Sequence, residues 1–122
     1  MSNNKVTINW FEIPVSDMAR AKTFYQAALQ AVLMPMEQPD GEMQAFLSGE
    51  TPVGALVAGA HNSPSTTGSL IYFDAGGDID AALARVEAAG GSVAVPKVSI
   101  GAFGHIAQFI DSEGNRIALH SA

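Results

Sequence analysis

Glu12 interrupts an otherwise apolar stretch of the chain and is the first candidate for chemistry. A carboxylate in such a stretch is costly to bury unless it is paired or faces a wet cavity. If Glu12 lines a cavity, burial raises its pKa and suits the carboxyl to bind a cation or to act as a general base. Trp10, two residues earlier, then offers a flat face for stacking or a cation–π contact. The alternatives are a structural salt bridge or hydrogen bond from Glu12 and a plain core position for Trp10.

Two histidines in the second half of the chain are the other candidates for acid–base chemistry. His105 follows the glycine-bounded segment 101–104, and His120 is close to the C-terminal end. Both can approach one pocket, and the alternatives are a rim position for His105 and a frayed end for His120. Gln108 is a polar residue inside a strand pattern and marks the cavity face, while Phe103 on the glycine-bounded loop can act as a lid.

Length and composition set the limits of what these residues can do. The chain has 122 residues and a mass of 12.7 kDa, the size of one domain, and 48% hydrophobic residues provide a core. The formal net charge of −6 disfavours nucleic acid and membrane surfaces as partners. Cysteine is absent and the first residues do not form a signal-peptide pattern, so we expect a cytoplasmic protein without disulfides.

Strand and helix patterns alternate along the first half of the chain. The β-branched and aromatic residues of segment 6–15 predict a strand with both faces buried. A helix capped by Ser16 or Asp17 follows and ends near Gln30. Short apolar segments between turn residues predict three further strands, at 32–36, 43–47 and 53–60. The polar segment 61–67 is the best linker candidate.

The same order of patterns repeats after the linker. Residues 69–74 predict a strand, and Asp78 caps a helix with an apolar stripe that is closed by Gly90-Gly91. Three more strand patterns follow, at 92–95, 105–110 and 116–120. A shift of 61 residues places Asp17 on Asp78. The sequence therefore predicts a structural repeat of two βαβββ modules.

Motifs in both halves resemble those of the vicinal oxygen chelate superfamily, which includes glyoxalase I, extradiol dioxygenases and bleomycin- and fosfomycin-resistance proteins. The motifs are Trp10-Phe11-Glu12-Ile13-Pro14-Val15-Ser16-Asp17, Arg20-Ala21, Phe24-Tyr25, Asp78-Ile79-Asp80-Ala81-Ala82-Leu83 and Asp111-Ser112-Glu113-Gly114-Asn115. Within the superfamily, three segments most resemble those of small bacterial proteins related to lactoylglutathione lyase: Phe11-Glu12-Ile13-Pro14, Val95-Pro96-Lys97 and the loop 101–104. The resemblance implies one glyoxalase-like domain over residues 1–122, with an α+β fold. Its modules, about 5–60 and 68–122, are joined by the linker 61–67 and form a curved mixed sheet with the helices on the convex side.

Metal-using members of this superfamily hold a divalent ion with four side chains, and the matching positions here carry other residue types. They are Trp10, a position near residues 56–58, Ser69 and Ala118. Divalent ions in such sites need imidazole or carboxylate donors, which these positions lack. We therefore expect neither a metal nor another cofactor.

The resemblance then implies a glyoxalase/bleomycin-resistance-like protein that binds or sequesters a small organic molecule in an apolar cleft without metal. A cationic or aromatic ligand suits the acidic chain, and the candidate ligand-binding residues are Trp10, Glu12, Phe103, Gln108 and His120. The alternative is a lactoylglutathione-lyase-like lyase, an isomerase or a dioxygenase with a displaced metal site or with Glu12 and His105 as catalytic acid–base pair. A small regulatory partner domain is a third possibility. Pairing of modules in this superfamily also implies a homodimer.

Overall fold

The computed structural model describes residues 6–38, 41–59 and 62–122. The first and second βαβββ modules are called module 1 and module 2. In module 1 the elements are β1 (Glu12–Pro14), α1 (Met18–Ala28), β2 (Leu33–Gln38), β3 (Gly41–Ser48) and β4 (Thr51–Val57). In module 2 they are β5 (Tyr72–Asp74), α2 (Ile79–Ala88), β6 (Ser92–Ser99), β7 (His105–Ile110) and β8 (Arg116–Ser121). A single 3₁₀ turn, Gly101–Phe103, precedes β7. The predicted α+β fold of two βαβββ modules is confirmed.

Each module forms its own four-stranded mixed sheet. The strand order is β1-β4-β3-β2 in module 1 and β5-β8-β7-β6 in module 2. The first strand of each module pairs in parallel with the last one, and the other neighbours are antiparallel. The repeat seen in the sequence therefore corresponds to two sheets of the same topology.

Both helices begin at the predicted aspartate caps. The Asp17 carboxylate accepts the backbone N–H of Arg20 at 3.0 Å, and Asp78 accepts that of Ala81 at 3.0 Å. Each bond satisfies one of the backbone N–H groups that the first turn of its helix leaves without a partner. The first helix ends at Ala28, slightly earlier than predicted, and Gln30 then adopts a left-handed φ of 55°.

The first strand is much shorter than its residue pattern predicts. The pattern covers residues 6–15, whereas β1 spans Glu12–Pro14. Val6 and Ile8 are 102% and 89% exposed, so the prediction that both faces of this segment are buried is wrong there. β-Branched residues favour a strand only where a neighbouring strand pairs with them and covers them.

One hydrophobic core joins the two modules on the helix side of the sheets. Its largest fully buried side chains come from both halves: Ile13, Phe24, Tyr25, Leu56, Ile79, Val86, Phe109 and Leu119. The rings of Phe11 and Phe46 in module 1 stand 5.5 and 5.4 Å from that of Phe73 in module 2. The opposite face of each sheet, called the open face below, carries no helix in the described parts of the chain.

Candidate functional site

A cleft of about 490 Å³ lies on the open face of the module 2 sheet. Its floor follows from the strand register, in which His120 on β8 is flanked by Asp74 on β5 and by Ile106 on β7. Residues opposite each other on neighbouring strands project to the same face, so these three side chains form one row. The full lining is Tyr72, Phe73, Asp74, Ile100, Ile106 and His120. We call this the open-face cleft.

A hydrogen bond to the loop before β7 orients His120. The Nε2 atom lies 2.7 Å from the backbone carbonyl oxygen of Phe103. A carbonyl can only accept, so Nε2 carries the proton and donates it. In the neutral ring Nδ1 is then the acceptor, and it can take a proton from another group. Of the predicted site residues, the structure brings His120 and Phe103 into direct contact.

The loop that holds His120 depends on a glycine. Gly104 has a φ of 99°, and a Cβ atom there would overlap the carbonyl oxygen of Ser121 on β8. Two hydrogen bonds close the loop, from Ile100 N–H to Gly104 O at 2.8 Å and from Gly104 N–H to Gly101 O at 3.1 Å. The Phe103 ring is 78% exposed while its carbonyl holds His120. The role of this ring as a lid stays a prediction.

Glu12 is exposed, whereas the residue pattern predicts that both faces of segment 6–15 are buried. The reason is strand alternation, because Ile13 on the same strand points into the core and Glu12 therefore points to the opposite face of the sheet. Trp10, which is half-buried, donates its Nε1–H to Glu12 Oε2 at 3.3 Å, so the two residues share one side as strand alternation predicts. Glu12 also lines a smaller cavity of about 250 Å³ beside Arg116 and the hydroxyls of Ser63, Ser65, Thr67 and Ser69.

Gln108 and His105 lie on opposite faces of β7. Gln108 is on the open face, where its Oε1 accepts a hydrogen bond from Arg116 Nη1 at 2.9 Å. His105 pairs with Ser121, one residue out of step with the His120–Ile106 pair, and alternation therefore turns it away from the open-face cleft. Neither the open-face cleft nor the smaller cavity that Glu12 lines includes His105 in its lining. The structure thus does not bring this candidate catalytic pair together.

The residues at the family's metal-ligand positions do not fit a metal. Ala118 is buried beside Tyr72 on the open face, and Leu56 is buried in the core. A Trp10 indole N–H can donate but offers no lone pair to a cation, and methyl groups offer none either. Within residues 6–38, 41–59 and 62–122, no group of three or more His, Cys, Asp or Glu side chains could hold an ion.

A buried polar network connects the modules at the β7–β8 turn. Tyr25 on α1 donates its hydroxyl to Asp111 Oδ2 at 2.6 Å, and both residues are buried. Asn115 Nδ2 donates to the carbonyl of Pro14 in β1 at 2.8 Å and to Asp111 Oδ2 at 3.1 Å. Burial, and after it the Asp111 charge, raises the pKa of Tyr25 well above its usual range. In the sequence, the motif 111–115 indicated only the family resemblance. In the structure, it connects module 2 to α1 and β1.

Glu113 in the same turn is hydrogen-bonded to the start of α1. Its Oε1 accepts the backbone N–H groups of Ser16 and Asp17 at 2.9 and 2.8 Å, and its Oε2 lies 2.6 Å from Arg20 Nε. Burial alone would raise the pKa of Glu113, but the hydrogen bonds from Arg20, Asp17, Ser16 and Ser112 outweigh it and lower the pKa to about 2. We call Tyr25, Arg20, Asp111, Glu113 and Asn115 the module latch. Sequence reasoning missed it, since its partners are about 90 residues apart.

Comparison with known proteins places this chain in a family. The family described as "Glyoxalase/Bleomycin resistance protein/Dioxygenase superfamily" matches residues 7–119. The chain belongs to this superfamily. The comparison with curated protein sequences found no match.

Several solved structures share the architecture. The antibiotic binding protein TnmS3 from Streptomyces sp. is 27% identical, with a TM-score of 0.66 and 96% of each chain covered. A glyoxalase/bleomycin resistance protein from Streptomyces sp. is 29% identical, with a TM-score of 0.65, 91% of this chain and 96% of the other covered. The fosfomycin resistance protein FosX from Listeria monocytogenes is 16% identical, with a TM-score of 0.70 and coverage of 98% and 93%, and this likeness concerns the fold alone.

Among the described helices, none is long and apolar enough to span a bilayer.

Proposed function

We propose that the protein binds a small aromatic cation in the open-face cleft, without a metal ion. One observation carries the proposal, namely that an aromatic ring and a carboxylate flank the same cleft. Tyr72 is 48% exposed and Asp74 lies beside it, with His120 opposite. A cation over an aromatic face gains about 0.5–2 kcal/mol, and a nearby carboxylate adds attraction. The cleft volume of about 490 Å³ falls within the range of about 300–1,000 Å³ typical of small-molecule sites.

The comparisons support a binding function of this kind. TnmS3, which shares the fold at 27% identity, is by its name an antibiotic binding protein. The residues at the metal-ligand positions of this chain offer no suitable donors, which favours binding over metal-dependent chemistry. Of the candidate ligand residues, His120 lines the cleft and Phe103 is bonded to it, whereas Glu12 lines the smaller cavity. Trp10 is bonded to Glu12, and Gln108 is bonded to Arg116 beside that cavity.

Proflavine, a planar aromatic cation with its own fluorescence, is a direct probe of this proposal. We expect saturable fluorescence polarisation in the wild type and binding weaker by about 2- to 30-fold in Tyr72→Ala, the range that loss of a cation–π contact gives. Asp74→Asn should also weaken binding. The matched control is Asp80→Asn, because Asp80 is an exposed acid on α2 outside the cleft. Equal affinities of wild type and Tyr72→Ala would contradict the proposal.

A second candidate function, acid–base catalysis in the same cleft, rests on the orientation of His120. With Nε2–H bonded to the Phe103 carbonyl, Nδ1 is available as a general base in a cleft that also contains Asp74. A lyase of the lactoylglutathione type would convert methylglyoxal and glutathione to a thioester with a distinct absorbance. Thioester formation that is lost in His120→Asn and retained in Asp80→Asn would favour this candidate, and its absence in the wild type would exclude it.

We also propose a homodimer in which a second copy covers the open faces. The support is a set of partly exposed large apolar side chains on or beside these faces: Met34, Tyr72, Val98, Ile100 and Phe103. Apolar surface of this kind often marks an association site. Light scattering should give about twice the chain mass of 12.7 kDa at micromolar concentration, and a mass equal to that of one chain would contradict the proposal.

A cytoplasmic location stays a prediction from the composition.

A further inference from the structure

A second cavity, of about 460 Å³, lies at the seam between the two modules. Module 1 contributes the segment after α1 and the facing ends of β3 and β4, while module 2 contributes the end of β5 and one face of α2. The lining consists of Leu29, Gln30, Ala31, Val32, Phe46, Leu47, Ser48, Val53, Phe73, Asp74, Ala75, Gly76, Ala82 and Arg85. We call it the seam cavity.

The floor of the seam cavity is aromatic. Phe46 from module 1 and Phe73 from module 2 stand with ring centroids 5.4 Å apart and contribute to this floor. Leu29 and Val53 add aliphatic surface around them. An apolar group of moderate size would therefore replace water in this cavity with favourable contacts.

Two opposite charges line the same cavity without pairing with each other. The Arg85 guanidinium donates its Nε–H to the carbonyl of Ala28 at 3.1 Å, and Asp74 Oδ1 accepts the backbone N–H of Gly76 at 2.8 Å. In the described parts of the chain, the ion pairs within 4.0 Å are Arg20–Glu113 and Lys97–Asp80. The terminal nitrogens of Arg85 and the second oxygen of Asp74 thus keep donors and an acceptor for a ligand.

We propose that the seam cavity binds a free α-amino acid with an apolar side chain. Its carboxylate would meet the Arg85 guanidinium, whose planar fork matches carboxylate geometry. Its ammonium would meet Asp74, and its side chain would lie against the Phe46–Phe73 floor. A zwitterion fits better than a simple anion because the chain carries a net charge of −6 and Asp74 itself would repel a second negative group.

This proposal goes beyond the aromatic-cation function because it concerns a different cavity and ligand class. Phe73 and Asp74 line both cavities, because Asp74 ends β5 and its Oδ1 bond to Gly76 N–H brings the carboxylate to the edge of the seam cavity. Asp74→Asn should therefore change both kinds of binding, whereas Arg85 lines the seam cavity and Tyr72 lines the open-face cleft. Substitutions at these last two positions therefore separate the two functions. Arg85 substitutions should change amino acid binding, and Tyr72→Ala should change proflavine binding.

Isothermal titration calorimetry with three related compounds tests the proposal on the whole protein. L-Phenylalanine should bind with one-to-one stoichiometry, and phenethylamine and phenylpropionate, which each lack one charged group, should bind roughly tenfold more weakly. In Arg85→Gln the preference for L-phenylalanine over phenethylamine should disappear. In Asp74→Asn the preference over phenylpropionate should disappear. The control Lys97→Gln, which removes an exposed cation outside the cavity, should keep both preferences.

Each preference is the ratio of two dissociation constants measured in the same variant. It therefore does not depend on how much Arg85→Gln destabilises the fold through loss of the Ala28 bond. Arg85→Lys provides a second variant, since it keeps the positive charge and should retain part of the preference. No binding heat with L-phenylalanine up to about 10 mM in the wild type would overturn the proposal. An unchanged ratio in Arg85→Gln would overturn it as well. Loss of proflavine binding alone would count only against the open-face function.

Discussion

The substitution Glu113→Gln tests whether the module latch stabilises the fold. The Glu113 side chain is fully buried, whereas its partner Arg20 is 53% exposed, and their closest atoms are 2.6 Å apart. Gln is nearly isosteric with Glu and keeps one oxygen that can accept the backbone N–H groups of Ser16 and Asp17. The variant therefore removes mainly the charge and leaves the packing of the turn in place.

The size of the effect follows from the pKa of the Glu113 carboxyl. The carboxyl is more acidic in the folded protein, with a pKa of about 2 against an ordinary 4.5. Since one pKa unit corresponds to about 1.4 kcal/mol, the difference sets an upper limit of about 3.5 kcal/mol on its contribution to stability. Solvent around the half-exposed Arg20 screens the pair, so we expect about 2 kcal/mol. Because the folded pKa is the lower one, this stability is present above pH 4.5 and is lost as the pH falls toward about 2.

Urea unfolding of wild type and Glu113→Gln at a series of pH values measures this contribution. At about pH 7 the variant should be less stable by about 2 kcal/mol, and the difference should shrink below about pH 4.5 and approach zero near pH 2. Asp80→Asn is the control, because its ion pair with Lys97 is exposed to solvent and should contribute little to stability. A stability difference that is absent at neutral pH, or that stays constant as the pH falls, would refute the reasoning.

Two further predictions concern the polar contacts of the latch and the loop beside the cleft. Tyr25→Phe removes the hydroxyl that Asp111 accepts in the core and should lower the free energy of unfolding by about 1.5–3 kcal/mol in denaturant titrations. The tyrosinate absorbance of Tyr25 should also stay absent on alkaline titration until the protein unfolds, and earlier ionisation would contradict the raised pKa. Gly104→Ala should cost about 1–3 kcal/mol and displace the loop from His120. An unchanged histidine resonance and melting temperature in that variant would show that the loop tolerates a Cβ.

Local sequence signals predicted the fold well because the elements are specified by nearby residues. Asp17 and Asp78 cap helices through bonds to N–H groups only three positions away. Together with the strand patterns that recur in the same order in both halves, these caps predicted the duplicated βαβββ order. Strand ends were less predictable, as the short β1 shows, since a strand extends only where a partner strand is present.

The site was harder to predict because it depends on contacts between distant segments. The hydrophobic pattern around Glu12 suggests burial, but Ile13 takes the core side of β1 and leaves the Glu12 carboxylate exposed on the opposite face. His105 and His120 both belong to strands of one sheet, and only the register shows that Ile106, not His105, faces His120. A register is fixed by turns and by packing of the whole sheet, which residue types alone do not reveal.

Glu113 of the module latch and Arg85 of the seam cavity also explain how module 2 is attached to α1. Glu113 places a carboxylate on the N–H groups at the start of α1, and Arg85 places a guanidinium 3.1 Å from the Ala28 carbonyl at its end. A negative group at the first turn and a positive group at the last turn both interact favourably with the helix dipole. Module 2 therefore fixes both ends of a module 1 helix by charge, in addition to the shared core. An amino acid in the seam cavity would bind to the same guanidinium, so its binding would act directly on the contact that positions the two modules.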